Sequence, residues 1–141
     1  MSTSRAEFNT QVIEQFRANA GRVGGQFEGM DLLLLHHIGA KSSASRINPL
    51  AYLRDGGRYV IFASQAGGPT HPAWYHNLKA HPAVTIEVGS QSLDVLASEA
   101  NGAERDRLYA AQAARLPQFA EYARRTERVI PVVILTPAAG A

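Results

Sequence analysis

Cysteine is absent from the 141 residues. That excludes disulfides, thiolate nucleophiles and cysteine-ligated metals, and it agrees with a reducing compartment. Charge is scarce as well. Charged residues make up 18% of the chain and the net charge is +2, too little for the basic face or stripe of a nucleic-acid binder. Long apolar runs are also missing. Leu32 to Leu35 is the longest near the start, far short of a bilayer span, and Met1 to Asn9 lacks the apolar core of a signal peptide. These absences point to a soluble, cytoplasmic protein with no nucleic-acid partner. The chain also lacks an internal repeat, and its length suits a single core.

The pattern of what is present divides the chain near residue 25. Residues 1–25 read as an amphipathic helix and a flexible connection. Ser4 and Glu7 have the spacing of a capping box, Phe8, Val12, Ile13 and Phe16 share a helical face, and Gly21, Gly24 and Gly25 end the helix. That apolar face suits packing on the rest of the protein or on a second subunit. A weak contact with the inner surface of a membrane is the second reading, with Arg5, Arg17 and Arg22 as its only cations. Residues 26–141 change texture to short strands at 31–38, 47–53, 58–64, 83–88, 92–98 and 129–135. Asp55-Gly56-Gly57 predicts a hairpin. Pro49 predicts an edge or bulge in the second strand, and Pro131 falls inside the last. Helices are predicted from Pro72 through Lys79, from Glu104 to Arg115 and from Gln118 to Arg125. Six short strands with few helices between them describe a barrel with helical decorations, mainly β within an α+β class.

Two segments carry chemistry. The loop Gly39 to Arg46 holds Lys41, Arg46, Ser42, Ser43 and Ser45 at a strand end. Phosphate binding wants such a mixture of point charge, forked donor and hydroxyls. The same residues also make an ordinary polar loop, and spacing alone favours that reading. The second segment runs from Ala63 through Gly67-Gly68 into a helix with the only Trp. Exposed N–H groups and a helix N-terminus converge there, as an anionic ligand requires. Core packing is the better reading for Trp74 taken singly. Asn77 could orient a ligand amide or cap a neighbouring loop. His71, His76 and His81 recur at a spacing that spreads them around a helix, and His36 and His37 point to opposite sides of a strand, so a metal site is not expected. A P-loop and a Gly-x-Ser-x-Gly elbow are both absent.

Five segments together resemble the deazaflavin-dependent nitroreductase family. They are Arg46-Ile47-Asn48-Pro49-Leu50, Leu53-Arg54-Asp55-Gly56-Gly57, Ala63-Ser64, His71 to Leu78, and Thr126 to Pro131, in family order and spacing from about Leu32 to Pro137. The resemblance implies a split β-barrel like those of flavin reductases and pyridoxamine-phosphate oxidases, with coenzyme F-420 as cofactor. It implies that Lys41, Ser42, Ser43 and Arg46 bind the cofactor's phosphodiester and acidic tail. Asn48, Pro49, Ala63, Ser64 and Gln65 would flank the deazaflavin ring, Gly67 and Gly68 would let their loop close over it, and Trp74 and Asn77 would support it. Ser64 is expected to hydrogen-bond near the ring. Phe119 and Tyr122 would wall the substrate pocket, with Tyr122 as a donor. Many members read Gly-Arg-Lys-Ser/Thr-Gly in the basic loop; here Ala40 and Ser43 replace the first cation and the last glycine.

The activity implied is hydride transfer from the reduced deazaflavin to a small electron acceptor, a quinone or a nitroaromatic. The chemistry then belongs mostly to the cofactor. A non-catalytic deazaflavin carrier and an FMN-dependent oxidoreductase of the same barrel class are the alternatives. Barrels of this kind often pair, which makes a homodimer the expected assembly.

Overall fold

The computed structural model describes residues 5–27 and 30–138. The capping position Ser4 lies outside them. Six strands close into an antiparallel barrel in the order β1-β2-β3-β6-β5-β4: β1 (Leu32–Ile38), β2 (Ser45–Asp55), β3 (Arg58–Phe62), β4 (Ala83–Val88), β5 (Gln91–Glu99) and β6 (Val132–Pro137). Four helices surround it: α1 (Arg5–Ala18), α2 (Ala73–Ala80), α3 (Gly102–Arg115) and α4 (Gln118–Arg125). Gly56-Gly57 joins β2 to β3 as expected, with Asp55 opposite Arg58.

The four leucines of β1 show how the layers are built. Side chains alternate across a strand, yet Leu32, Leu33, Leu34 and Leu35 are all buried. Leu33 and Leu35 enter the barrel core with Ile61, Ile86, Leu135, Trp74 and Leu78. Leu32 and Leu34 face outward and are covered by Val12 and Phe16 of α1, together with Val23. Burial of Val12 and Phe16 contributes about 3–6 kcal/mol before ordering entropy is subtracted. Arg17 adds a two-pronged bond to Glu87 of β4, 3.1 Å from Nε to Oε1 and 2.7 Å from Nη2 to Oε2. The apolar face of α1 is thus used against the barrel. On the far side, α3 and α4 cover the outer faces of β3 and β6 through Leu108, Tyr109 and Phe119.

Of the two prolines, Pro49 stands on an edge as expected, and Pro131 departs from its expected place inside the last strand. Pro49 does not interrupt β2; it sits in the ladder opposite Leu34. Residues Ser45 to Ala51 pair with β1 alone, while β3 pairs only with Tyr52 to Asp55. The outer edge of the first half of β2 is therefore open, where a missing N–H costs nothing. Pro131 lies outside β6, which starts one residue later; its carbonyl still accepts from the Ala63 N–H at 2.9 Å. Pro72 likewise stands just before α2.

Candidate functional site

Where β2 and β3 part, one end of the barrel is finished by the loop after β1, the start of β2, and α2. A groove of about 1270 Å³ runs between these elements and α1. Lys41, Ser42, Arg46, Asn48 and Asn77 line it, as do His37, Ala40, His76 and, from α1, Asn9, Thr10 and Ile13. Among the described residues, none that lines it is acidic. Lys41 and Arg46 are exposed, and neither forms a salt bridge among the described residues. Two unopposed cations on a carboxylate-free wall make a region of positive potential that an anion would fill.

The basic loop is held in a definite shape. The Gly39 N–H bonds the Ala44 carbonyl at 2.9 Å, and the Ser43 N–H bonds the Gly39 carbonyl at 3.0 Å. A Cβ at Gly39 would lie 2.3 Å from the Ser42 hydroxyl oxygen, so a side chain there would turn Ser42 away from the Ala44 N–H that its hydroxyl accepts from at 3.2 Å. Ser43 adopts φ +59°, in the left-handed region that glycine occupies freely and serine does not. The Ala40 N–H donates to Asn77 Oδ1 at 2.9 Å. Asn77, buried on α2, therefore caps the neighbouring loop. Its Nδ2 lies 3.0 Å from Nδ1 of buried His37, whose Nε2 lies 2.6 Å from Asn48 Oδ1. Burial pushes the His37 pKa down. His36, one residue earlier, faces the opposite way and contacts Glu87 at 2.6 Å.

A second loop follows β3. Ala63 and Ser64 are buried, Gln65 is exposed with φ +45°, and Gly67 has φ +80°. Gly67 is packed on α4: a Cβ there would lie 3.0 Å from Arg125 Cβ and 3.1 Å from the Tyr122 carbonyl oxygen. Arg128 ties this loop together. It donates to the carbonyls of Gly68 (3.0 Å), Ala63 (3.1 Å) and Ser64 (2.8 Å), and its Nη1 lies 2.8 Å from His71 Nδ1. Burial lowers the pKa of both Arg128 and His71.

The predicted site residues thus fall into distinct places. Lys41, Ser42, Arg46, Asn48 and Asn77 share the groove, Ser43 shapes its loop, and Pro49 lies on the open β2 edge. Ala63, Ser64, Gln65, Gly67 and Gly68 form the Arg128-bound loop. Trp74 is buried in the barrel core. Phe119 is buried beneath α3 and α4, where its carbonyl accepts from the Tyr109 hydroxyl at 2.5 Å. Tyr122 is half-buried with its ring centroid 5.2 Å from that of Phe119. Three contributions escaped the sequence reading. Strand alternation places His37 by face alone, nothing in the sequence gives Arg128 a partner, and Asn9, a polar residue on the face of Val12, Ile13 and Phe16, and Thr10 beside it carry no ligand signal.

Fold and groove together define a small barrel suited to an anionic cofactor. Residues 8–137 match the family described as F420H(2)-dependent quinone reductase. The chain is 42% identical over 125 residues to F420H(2)-dependent quinone reductase Rv1261c of Mycobacterium tuberculosis (strain H37Rv), covering 86% of this chain and 84% of the relative. A solved F420-H2 dependent reductase, FDR-A, has a TM-score of 0.69 at 39% identity, over 74% of this chain and 93% of its own. A structure described as a domain-swapped dimer has a TM-score of 0.71 at 33% identity, over 94% of this chain and 99% of its own. The chain belongs to the F420H(2)-dependent quinone reductase family. Among the described residues, no helix is long and apolar enough to cross a membrane.

Proposed function

We propose that this protein transfers a hydride from reduced coenzyme F-420 to a quinone. The observation that carries the reading is the groove itself: Lys41 and Arg46 on a wall without carboxylates among the described residues, fitted to a phosphodiester and an acidic tail. When bound, the reduced deazaflavin supplies the hydride. The chain's own part is binding and orientation. Lys41 and Arg46 hold the anionic tail, with the Ser42 hydroxyl beside them, while Ser43 keeps their loop turned. Asn48 and Pro49 on the open edge of β2, and the loop Ala63 to Gly68, flank the ring. Ser64 donates toward it. Tyr122 forms the acceptor-side wall, with Phe119 fixing it from the core and Trp74 fixing α2.

Fluorescence titration with oxidised coenzyme F-420, with FMN as competitor, tests the reading. Saturable binding that FMN does not displace is expected. Lys41→Ala and Arg46→Ala should each weaken binding about three- to tenfold, since both cations are exposed, and added salt should shrink the difference. Unchanged affinity in both variants would remove the groove from the mechanism. Turnover against a panel of quinones and nitroaromatics separates the enzyme from a carrier, which binds without turning over. We further read the assembly as a homodimer, which light scattering of the eluted protein tests directly.

A further inference from the structure

We infer that His37 is a positioning residue that turns the Asn48 amide N–H2 into the groove, as a fixed donor for an oxygen of the bound cofactor. The inference rests on the reading of the groove as the F-420 site. It follows from one backbone group. The Ala40 N–H can only donate, so the atom of Asn77 that meets it at 2.9 Å is the carbonyl oxygen. The Asn77 amide then presents its N–H2 to His37 Nδ1 at 3.0 Å. Nδ1 must accept, so the neutral ring carries its proton on Nε2. Nε2–H donates in turn to the Asn48 atom at 2.6 Å, which must be the oxygen. That leaves the Asn48 nitrogen without a partner among the described residues and free to donate, and Asn48 is one of the residues that line the groove.

The chain of bonds runs one way, and each assignment forces the next. Reversing the Asn48 amide would set two donors against each other across the His37 contact. Burial opposes a charge on His37, the bond to Asn48 favours one, and nearby Arg46 and His36 oppose it; the net direction is downward, in keeping with the neutral ring that the bonding pattern requires. An anion site gains from a pre-aimed donor, because no reorganisation is required when the ligand arrives. His37 itself touches no ligand in this scheme.

Two measurements test the relay. The first is nitrogen NMR of the histidine rings in the unmodified, cofactor-free protein at neutral pH. A neutral His37 protonated on Nε2 is expected; a proton on Nδ1, or on both nitrogens, overturns the proposal. The second is a double-mutant cycle on affinity for oxidised F-420. Asn48→Ala and His37→Phe should each weaken binding about tenfold, and the double variant should also be about tenfold weaker, because both remove one donor. A double variant about a hundredfold weaker would mean independent, merely structural effects and would overturn the proposal. The NMR arm needs no variant to fold and no cofactor. If the unmodified protein fails to bind F-420, the functional reading falls while the tautomer still decides the relay.

Discussion

Arg128 should be worth more to this fold than a half-exposed arginine ordinarily is. Its guanidinium meets no carboxylate among the described residues; it meets three carbonyls and a histidine nitrogen instead. Those acceptors belong to one loop, and that loop is not relaxed. Gln65 has positive φ, where a side chain is strained, and the loop's own bonds of 2.9 Å from the Gly67 and Gly68 N–H groups to the Ser64 and Gln65 carbonyls are few against that cost. A hydrogen bond from a charged donor contributes about 1.5–3 kcal/mol when dry. Water can replace part of each here, so Arg128→Ala should cost about 2–4 kcal/mol in urea denaturation. Arg128→Lys keeps the charge but loses the planar fork. One ammonium cannot reach acceptors on Ala63, Ser64 and Gly68 together, so it should recover only about half of the loss. Hydrogen exchange at Gly67 and Gly68 should rise in both variants, ahead of global unfolding. An alanine variant within about 0.5 kcal/mol of the unmodified protein, with those amides still protected, would refute the clamp.

Ser43→Gly should stabilise the protein by about 0.5–1 kcal/mol: the left-handed conformation at Ser43 is relieved, partly offset by glycine's greater freedom when unfolded. Denaturant midpoints check it, and a loss would show that the serine side chain contributes more than the strain costs. Gln112 is fully buried on α3, with neither side-chain polar atom bonded among the described residues. Gln112→Met should therefore gain about 1–3 kcal/mol, and destabilisation of that size would reveal a partner for the amide. Stability should also fall in acid in two stages. His37 and His71 have folded pKa values below their ordinary 6.5, so the unfolded chain takes up protons first, and stability present above that value is lost as pH drops through the folded values. Glu87, held low chiefly by Arg17, and Asp55, held low by Arg58 and Arg107, add a second loss below their ordinary 4.5 and 3.8. Stability that rises on acidification from pH 7 to about 5 would contradict both histidine environments.

What was legible in the sequence was local. The Asp55-Gly56-Gly57 hairpin, the strand at 83–88 and the helix at 118–125 each depend on neighbours in the chain, and each is found where expected. Alternation also separated His36 from His37. What alternation could not supply was the partner. His37 meets residues 11 and 40 positions away, and Arg128 meets carbonyls 60 to 65 positions away. No spacing rule encodes such contacts, because barrel closure alone sets them. Pro49 shows the limit from the other side. A strand proline announces an unpaired edge, but not that the edge opens because β3 stops at Phe62 while β2 runs on. The same mismatch in strand length opens the end of the barrel beside the groove. The proline rule and the site are therefore two consequences of one feature, a long strand paired to a short one. In the β2–β3 register Gln65 would come opposite Asn48, so extending β3 that far would close the edge on which Asn48 stands; the site depends on pairing that is left unmade.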